Sequence, residues 1–299
     1  MFAQSLSPQR SHMNPSPPPE PERLSLRQRL DHFSRRVFRG PPFQTQGQPF
    51  ERGRRFKLSL QRRFVVDLLH FAKRVPSIPM QRRMSLADVV GIRRAWTKPP
   101  SWTAIFLKAF AIVAAKRPEF RRTFLPVPWG HLYEHPANVA SVGIEREFEG
   151  EPGVFMGQIP QPEQLSLREI DGRIDFFKNA PVESVLEFSR ALRLSRRRWP
   201  LRRLTWWAGL YISGLYRAWY FGTFAVSVTA NFGAASLHQL SPLTTSLNTG
   251  TFTTDGDLDV RLTYDHRVMD GGTVARALAD LEEVLHVEIL AELLADAED

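Results

Sequence analysis

The sequence predicts a mixed α/β fold, and two adjacent patterns near the C-terminus are the main reason. From 257 to 265 apolar and polar residues alternate, which is the period of a half-buried strand. Immediately downstream, apolar residues recur at helical spacing, at Val274, Leu278, Leu281 and Leu285. A third observation is the largely apolar run from 102 to 115, which predicts a buried helix that Pro118 ends.

The N-terminal stretch 1–53 has a different composition from the rest of the chain. It is rich in Pro, Gln, Ser and Arg, and five prolines lie between Pro15 and Pro21. Because it has few apolar residues to offset the entropy of ordering, we predict a disordered basic tail before a folded domain over 54–299. Residues 24–38 can form a short helix within it. A second interpretation of this Arg-rich leader is an organelle transit peptide.

The formal net charge of +9 is a property of the N-terminal region. Thirteen basic and four acidic residues lie in 1–63, so this stretch accounts for the whole excess. A basic charge confined to a tail does not indicate a nucleic-acid-binding domain, and we expect no nucleic-acid partner.

The absence of cysteine excludes disulfides, a thiolate nucleophile and a cysteine-ligated metal. It fits a reducing compartment, and we expect a cytoplasmic protein. No apolar run reaches the roughly 18 residues that a membrane span requires, and the N-terminus shows no secretory signal.

The middle of the chain alternates helix and strand patterns. In order, we predict a helix over 64–72, a strand over 75–86, a short helix through 92 with Ser85 as its N-cap, the helix 102–115, strands within 132–145 and 154–159, and a helix over 166–177.

The segment 182–221 combines a basic cluster with a Trp-rich stretch. The basic residues are Arg190, Arg193, Arg196, Arg197, Arg198, Arg202 and Arg203. The stretch 204–220 that follows is apolar, but it is short and Arg217 interrupts it, so it does not predict a membrane span. Basic residues beside Trp are typical of helices at a membrane surface, so a weak membrane contact is one interpretation. We favour a core or subunit-interface helix, because a predicted core strand follows directly.

That strand runs from Gly222 to Gly233. Further along, Asp255-Gly256 separates two extended patterns, 248–254 and 258–264, and this dipeptide predicts a tight hairpin. The hairpin leads into the alternating strand described first.

The strand–helix junction carries the string Asp-His-Arg-Val-Met-Asp-Gly-Gly, with His266, Asp270 and Gly271. Histidine titrates near neutral pH and is suited to general-base catalysis, while Asp270 is placed to cap the following helix and the glycines permit a sharp turn. The string resembles the active-site signature of the dihydrolipoamide acyltransferases of 2-oxoacid dehydrogenase complexes. Its shorter form, His-x-x-x-Asp-Gly, is shared with chloramphenicol acetyltransferase.

The resemblance implies a large mixed sheet with helices packed on one side, as in chloramphenicol acetyltransferase, and it covers about 54–294. It implies that His266 is the base and that a paired arginine, Arg62 or Arg63, forms an ion pair with Asp270. The block that begins at Gly222 resembles the family's oxyanion block, in which the sixth residue, here Ser227, supplies the hydroxyl.

This block departs from the family pattern at one position, since Val228 stands where an Asn is expected. Thr229 lies on the same strand face as Ser227 and is the alternative hydroxyl. Asn231 and Gly271 complete the supporting residues that we predict.

The function implied by the resemblance is CoA-dependent acyl transfer, with CoA or acyl-CoA as substrate, no covalently bound cofactor and no metal. The partners implied are an acyl thioester, a small-molecule or carrier-bound thiol or hydroxyl acceptor, and further copies of the chain in a homotrimer or a higher multiple, with active sites between subunits. No lysine follows an aspartate as in a lipoyl domain, which suggests a free-standing catalytic domain. The alternative function is a non-catalytic oligomeric scaffold, or a membrane-surface protein, that kept this fold.

Overall fold

A computed structural model describes residues 25–37, 53–228 and 233–297. By its internal contacts the chain divides into two units, 1–56 and 57–299. In the first unit, Leu26–Val37 forms helix α1, which confirms the short helix predicted within 24–38. The disorder predicted for the remainder of 1–53 lies outside the described residues.

The second unit contains nine further α-helices and eight strands among its described residues. The helices are α2 (Leu60–Ala72), α3 (Ala87–Ala95), α4 (Trp102–Lys116), α5 (Leu167–Asn179), α6 (Leu186–Arg196), α7 (Trp199–Tyr211), α8 (Gly214–Phe221), α9 (Gly271–Val284) and α10 (Leu290–Ala297). The strands are β1 (Ser77–Ser85), β2 (Arg122–Leu125), β3 (His131–Glu134), β4 (Val139–Phe148), β5 (Glu151–Pro160), β6 (Phe224–Val228), β7 (Thr245–Thr249) and β8 (Asp257–Asp265).

Six strands form one mixed sheet in the order β1-β8-β7-β6-β4-β5, and β2 pairs with β3 in a separate ribbon. Strand β6 is parallel to both of its neighbours, β4 and β7, whereas the other three pairs are antiparallel. The predicted fold class, a large mixed sheet with helices packed on one side, is therefore confirmed for the sheet and its main helical layer, and α7 and α8 add to the other face.

Helix α4 is the centre of the core because it is apolar around most of its circumference, as expected for a helix covered on several sides. Its residues Phe106 and Phe110 are fully buried. The Ser101 hydroxyl accepts from the N–H of Ala104 and so caps the helix, and Ser101 itself donates from its N–H and its hydroxyl to Asp171 of α5. Helices α3, α4, α5 and α9 all contribute to this one core against the sheet.

The other face of the sheet, at its β4–β5 end, is approached by α7 and α8. Trp206 and Leu210 of α7 form a second, smaller apolar cluster with Phe71 of α2. The favoured interpretation of the Trp-rich segment as core therefore holds for these two residues. Trp199 and Trp219 are instead about 60% exposed, at 64% and 59%.

Two local predictions are wrong. Ser85 does not cap α3, because it is the last residue of β1 and pairs with Asp257, and Leu86 takes the N-cap position. Asp255-Gly256 is not a two-residue hairpin: β7 ends at Thr249, so seven residues connect it to β8. Phe252 in this connection packs against Trp102, with ring centroids 4.4 Å apart and the ring planes tilted by 39°.

Gly256 does adopt the left-handed conformation that a turn glycine favours, with φ of 86°. A Cβ atom there would also lie 2.7 Å from the Cα of Ala87, so the glycine permits a close approach of two backbones. Among the described residues, no helix has both the length and the apolar character that crossing a membrane requires.

Candidate active site

His266 is the first residue after β8, at the junction that leads into α9. Its backbone N–H donates to the carbonyl of Pro76, just before β1, at 3.2 Å. The turn is thus held by the neighbouring strand, while the imidazole side chain remains 45% exposed. The backbone of His266 is therefore held in place, while its ring is accessible to another molecule.

The contacts of the imidazole indicate which nitrogen can take up a proton. Nδ1 lies 3.1 Å from the carbonyl oxygen of Met269. Because a carbonyl only accepts, Nδ1 is the donor in this contact and Nε2 carries the lone pair of the neutral ring. No described residue forms a hydrogen bond with Nε2. A ring oriented through Nδ1, with Nε2 available, has the arrangement of a general base.

Asp270 contributes less within the chain than the sequence predicts. Its Oδ1 lies 3.6 Å from Nδ1 of His266, which is beyond hydrogen-bond distance, and its side chain is 89% exposed. Asp270 occupies the N-cap position of α9, but its side chain makes no capping hydrogen bond. The carboxylate is available to a group outside the described chain.

Gly271, the first residue of α9, is favoured by close packing rather than by its backbone dihedrals. Its φ is not positive, so the sharp turn expected from the glycines does not use the left-handed region. A Cβ at Gly271 would lie 3.2 Å from Met80 and 3.3 Å from the hydroxyl of Tyr264. The small residue lets the helix begin against β1 and β8.

Asp265 and Arg267, on either side of the histidine, form a clamp that the sequence analysis missed. Asp265 is 1% exposed and accepts from Nε and from a terminal nitrogen of Arg267, at 2.9 and 2.7 Å. The N–H of Arg267 also donates to Asp265, at 3.0 Å. The guanidinium lies over the ring of Phe124 at 4.6 Å. Opposite charges at positions i and i+2 around the histidine were the available signal.

A buried arginine, Arg217 of α8, lies near this clamp. It contacts the carbonyl groups of Phe124, Leu210 and Pro242. Burial lowers the pKa of Arg217 to about 10, and the negative charge of Asp265 opposes that shift. The arginine therefore ties α8 to β2, to α7 and to the segment before β7 through backbone oxygens.

The predicted ion pair between Asp270 and a paired arginine is not formed within the chain. Nε of Arg63 donates to the carbonyl of Leu58, at 3.1 Å, and Arg62 is exposed. Both arginines lie on α2, which packs against β5, α6 and α7. Strand β5 is at the opposite edge of the sheet from β1 and β8, so the fold separates these residues from Asp270.

Ser227 lies on β6, on the face of the sheet opposite to the core residues Phe224 and Val226. On the adjacent strand, Nδ2 of Asn248 donates to the carbonyl of Ser227 at 3.0 Å, and Oδ1 of Asn248 is buried with no partner in the described part of the chain. Asn248 is a neighbour that the sequence analysis did not identify.

The other two residues of this block cannot be placed. Thr229 and Asn231, predicted as alternative and supporting groups, lie outside the described residues.

The strand register separates Ser227 from His266 within one chain. Ser227 pairs with Asn248, and Asn248 with Arg261, five residues before His266. At the rise and spacing of β-strands, this amounts to roughly 16 Å along the strands and roughly 10 Å across them. The hydroxyl and the imidazole of the same copy therefore cannot act on the same carbonyl.

Within the described ranges, no group of three or more His, Asp or Glu residues is arranged to hold a metal ion.

No family model matches the chain, and no curated protein matches it either. Solved structures do match. The dihydrolipoamide acetyltransferase of Azotobacter vinelandii is 17% identical, with 85% of this chain and 99% of that chain covered and a TM-score of 0.59. A probable dihydrolipoamide acetyltransferase from Listeria monocytogenes is 16% identical, with 78% and 94% covered and a TM-score of 0.55.

The cubic core of a pyruvate dehydrogenase multienzyme complex is 18% identical, with 85% of this chain and 99% of that chain covered and a TM-score of 0.53. At these identities the likeness establishes the fold. The resemblance to the catalytic domains of dihydrolipoamide acyltransferases, expected from the sequence, is thereby confirmed at the level of the fold.

Proposed function

We propose that this protein is a CoA-dependent acyltransferase that moves an acyl group between a thioester and a thiol or hydroxyl acceptor. The observation that carries the proposal is the orientation of His266, whose Nδ1 is held by the Met269 carbonyl while Nε2 is unoccupied. The fold supports it, because the neighbours in fold are acetyltransferases. In the Azotobacter vinelandii enzyme, a serine, a histidine and an asparagine have roles in the catalytic mechanism.

In the proposed reaction, Nε2 of His266 removes the proton from the acceptor thiol or hydroxyl. The acceptor attacks the thioester carbonyl carbon, and the carbonyl oxygen becomes an oxyanion. When this tetrahedral intermediate collapses, the carbon–sulfur bond breaks and the departing CoA thiolate takes the proton back from the imidazolium. Because the base only carries a proton, no acyl-enzyme forms on it.

Ser227 is the proposed hydrogen-bond donor to the oxyanion, a type of contact worth roughly 3–4 kcal/mol in acyl transfer. Since one copy keeps Ser227 and His266 apart, the serine must come from a second copy. A closed oligomer, with a homotrimer as the simplest form, supplies such a pair at each interface. The neighbour that forms the cubic core of a multienzyme complex supports an assembled state.

The test is acetyl transfer from acetyl-CoA to dihydrolipoamide and to a set of small thiols, with wild type and His266→Ala compared. We expect the substitution to lower kcat by about 10²–10⁴-fold, the contribution of a positioned base. His131→Ala is the matched control, because Nδ1 of His131 also contacts a backbone carbonyl, that of Trp129 at 2.8 Å, on another strand. Equal turnover by a folded His266→Ala protein would refute the proposal.

A second candidate is a non-catalytic scaffold or membrane-surface protein. The observation that favours it is the exposed apolar surface of α7 and α8, which includes Trp199, Leu204 and Trp219. Sedimentation with vesicles that contain phosphatidylglycerol separates the two candidates. Vesicle binding by a wild-type protein that transfers no acyl group to any acceptor supports the scaffold.

A further inference from the structure

A large cavity lies between the non-core face of the sheet and the helices α2, α6, α7 and α8. Its volume is about 820 Å³, within the range typical of small-molecule sites. The sheet provides the floor through Ser141 of β4 and through Met156 and Gln158 of β5. We call this space the α6–α8 cavity.

The walls of the α6–α8 cavity are mostly apolar. They are formed chiefly by Phe64, Leu68, Leu194, Ala208, Ile212 and Phe221. On the floor, the Oγ of Ser141 is buried and has no hydrogen-bond partner in the described part of the chain. A buried hydroxyl normally forms a hydrogen bond. The Oγ of Ser141 therefore indicates that a polar group of a ligand, or a water molecule, lies in this otherwise apolar cavity.

One side of the cavity carries three arginines of the α6 region. Arg190 lies over the ring of Tyr220 at 5.6 Å, and Arg197 donates to the hydroxyl of Thr205 at 3.0 Å, so both guanidinium groups are held in place. Arg193 also lines the cavity. None of the three forms an ion pair with a described carboxylate, whereas the adjacent Arg196, outside the cavity, pairs with Glu183 at 3.5 Å.

The charges that face the cavity therefore leave an excess of positive charge. Glu187 is the carboxylate in the lining, against three guanidinium groups. Arginines that lack a protein counter-charge and keep a fixed geometry are suited to bind a carboxylate or phosphate. The apolar walls are suited to an alkyl chain, because they carry few groups that could satisfy the hydroxyls of a sugar or the amides of a peptide.

We propose that the α6–α8 cavity binds a single-chain anionic amphiphile, with its alkyl chain against the apolar walls and its carboxylate or phosphate at Arg190, Arg193 and Arg197. Fatty acids and lysophospholipids are both single-chain anionic amphiphiles of this kind. Within one chain the cavity lining does not include His266, and the binding test below does not depend on the proposed acyl transfer. Ser227 lies on the same sheet face as the cavity floor, beside Gly143 of β4.

The test is isothermal titration of the full chain with sodium dodecanoate, dodecyl phosphate and dodecanol, each below its micelle concentration. We expect both anions to bind and dodecanol to bind at least about tenfold more weakly, as the loss of one charged contact implies. Tighter binding of dodecanoate would indicate a fatty acid as the natural ligand, and tighter binding of dodecyl phosphate would indicate a lysophospholipid. Equal affinity for dodecanol and dodecanoate would overturn the assignment of the arginines.

Two variants test the location. Ala208→Phe places a ring in the cavity, and we expect it to abolish dodecanoate binding. The double substitution Arg190→Gln and Arg193→Gln should weaken dodecanoate about tenfold and leave dodecanol unchanged. Arg196→Gln is the matched control on the same helix and should bind as wild type.

Two results contradict the proposal. One is dodecanoate binding that neither Ala208→Phe nor the arginine double variant reduces, since the exposed surface of α7 and α8 would then be the binding surface. The other is the absence of dodecanoate binding together with binding to phosphatidylglycerol vesicles. In that case the arginines and apolar residues would bind a membrane surface and not a ligand in the cavity.

Discussion

Two pairs of charged side chains, one at the histidine turn and one between α2 and α7, differ in their burial. At the histidine turn, His266 and Asp270 are exposed, with 45% and 89% of their side chains accessible. In the contact between α2 and α7, Asp67 is fully buried and Arg202 nearly so, at 0% and 9%. The first arrangement leaves groups free for another molecule, whereas the second uses charges to hold two helices together.

The buried contact is built from residues that sequence analysis did not connect. Asp67 of α2 contacts both Arg202 and Arg203 of α7, the latter at 3.0 Å. Removing these charges from water costs free energy, which their mutual attraction offsets only while all the partners are present. Burial, more than the number of charges, decides which of the two pairs holds the structure together.

The largest expected effect follows from breaking the buried contact. Asp67→Ala leaves two arginines without their carboxylate, and we expect a loss of about 3–5 kcal/mol in the free energy of unfolding. Chemical denaturation measures it. Asp175→Ala is the control, because Asp175 is exposed and its pair with Lys178, at 3.8 Å, is worth at most about 0.5 kcal/mol. Similar losses in both variants would mean that burial does not distinguish the two contacts.

The second effect concerns the open region and its expected partner copy. Ser227→Ala should lower kcat by about 10²–10³-fold with little change in KM, because the hydrogen bond to the oxyanion forms mainly in the transition state. Thr229→Val should be nearly silent. Steady-state kinetics with acetyl-CoA measure both variants, and the reverse pattern would transfer the role to Thr229.

Mixing the variants tests whether the serine acts across an interface. Refolding Ser227→Ala together with His266→Ala should restore part of the activity, since an interface between unlike copies can combine an intact histidine with an intact serine. Each variant refolded alone is the control. If the mixture is no more active than the sum of its parts, Ser227 does not serve the histidine of a neighbouring copy and is not the oxyanion donor.

The smallest effect is expected at Asp270. Because this carboxylate is exposed in the chain and only near His266, Asp270→Asn should change the free energy of unfolding by less than about 1 kcal/mol. Thermal unfolding measures the change. A loss of several kcal/mol would show that assembly buries Asp270, for example against Arg62 or Arg63 of another copy, and would restore the ion pair predicted from the sequence.

The strand–helix junction could be predicted because its signals are local. The alternation up to Asp265 and the helical repeat from Val274 lie within one short stretch, and the structure places β8 and α9 there. Ser85 and Asp255-Gly256 were misread for the opposite reason. The pairing of Ser85 with Asp257 and the packing of Phe252 on Trp102 join distant parts of the chain and override local turn and cap preferences.

The sequence by itself determined the fold class, the histidine turn and the candidate base. The hydrophobic period, the turn residues and the contiguous motif that predict them all depend on neighbouring residues. Only the tertiary structure decided that Ser227 lies far from His266 of the same copy, because strand register is a property of the whole sheet. It also decided that Asp67 meets Arg202 across 135 positions and that the α6–α8 cavity exists, since long-range packing sets which distant side chains share a space.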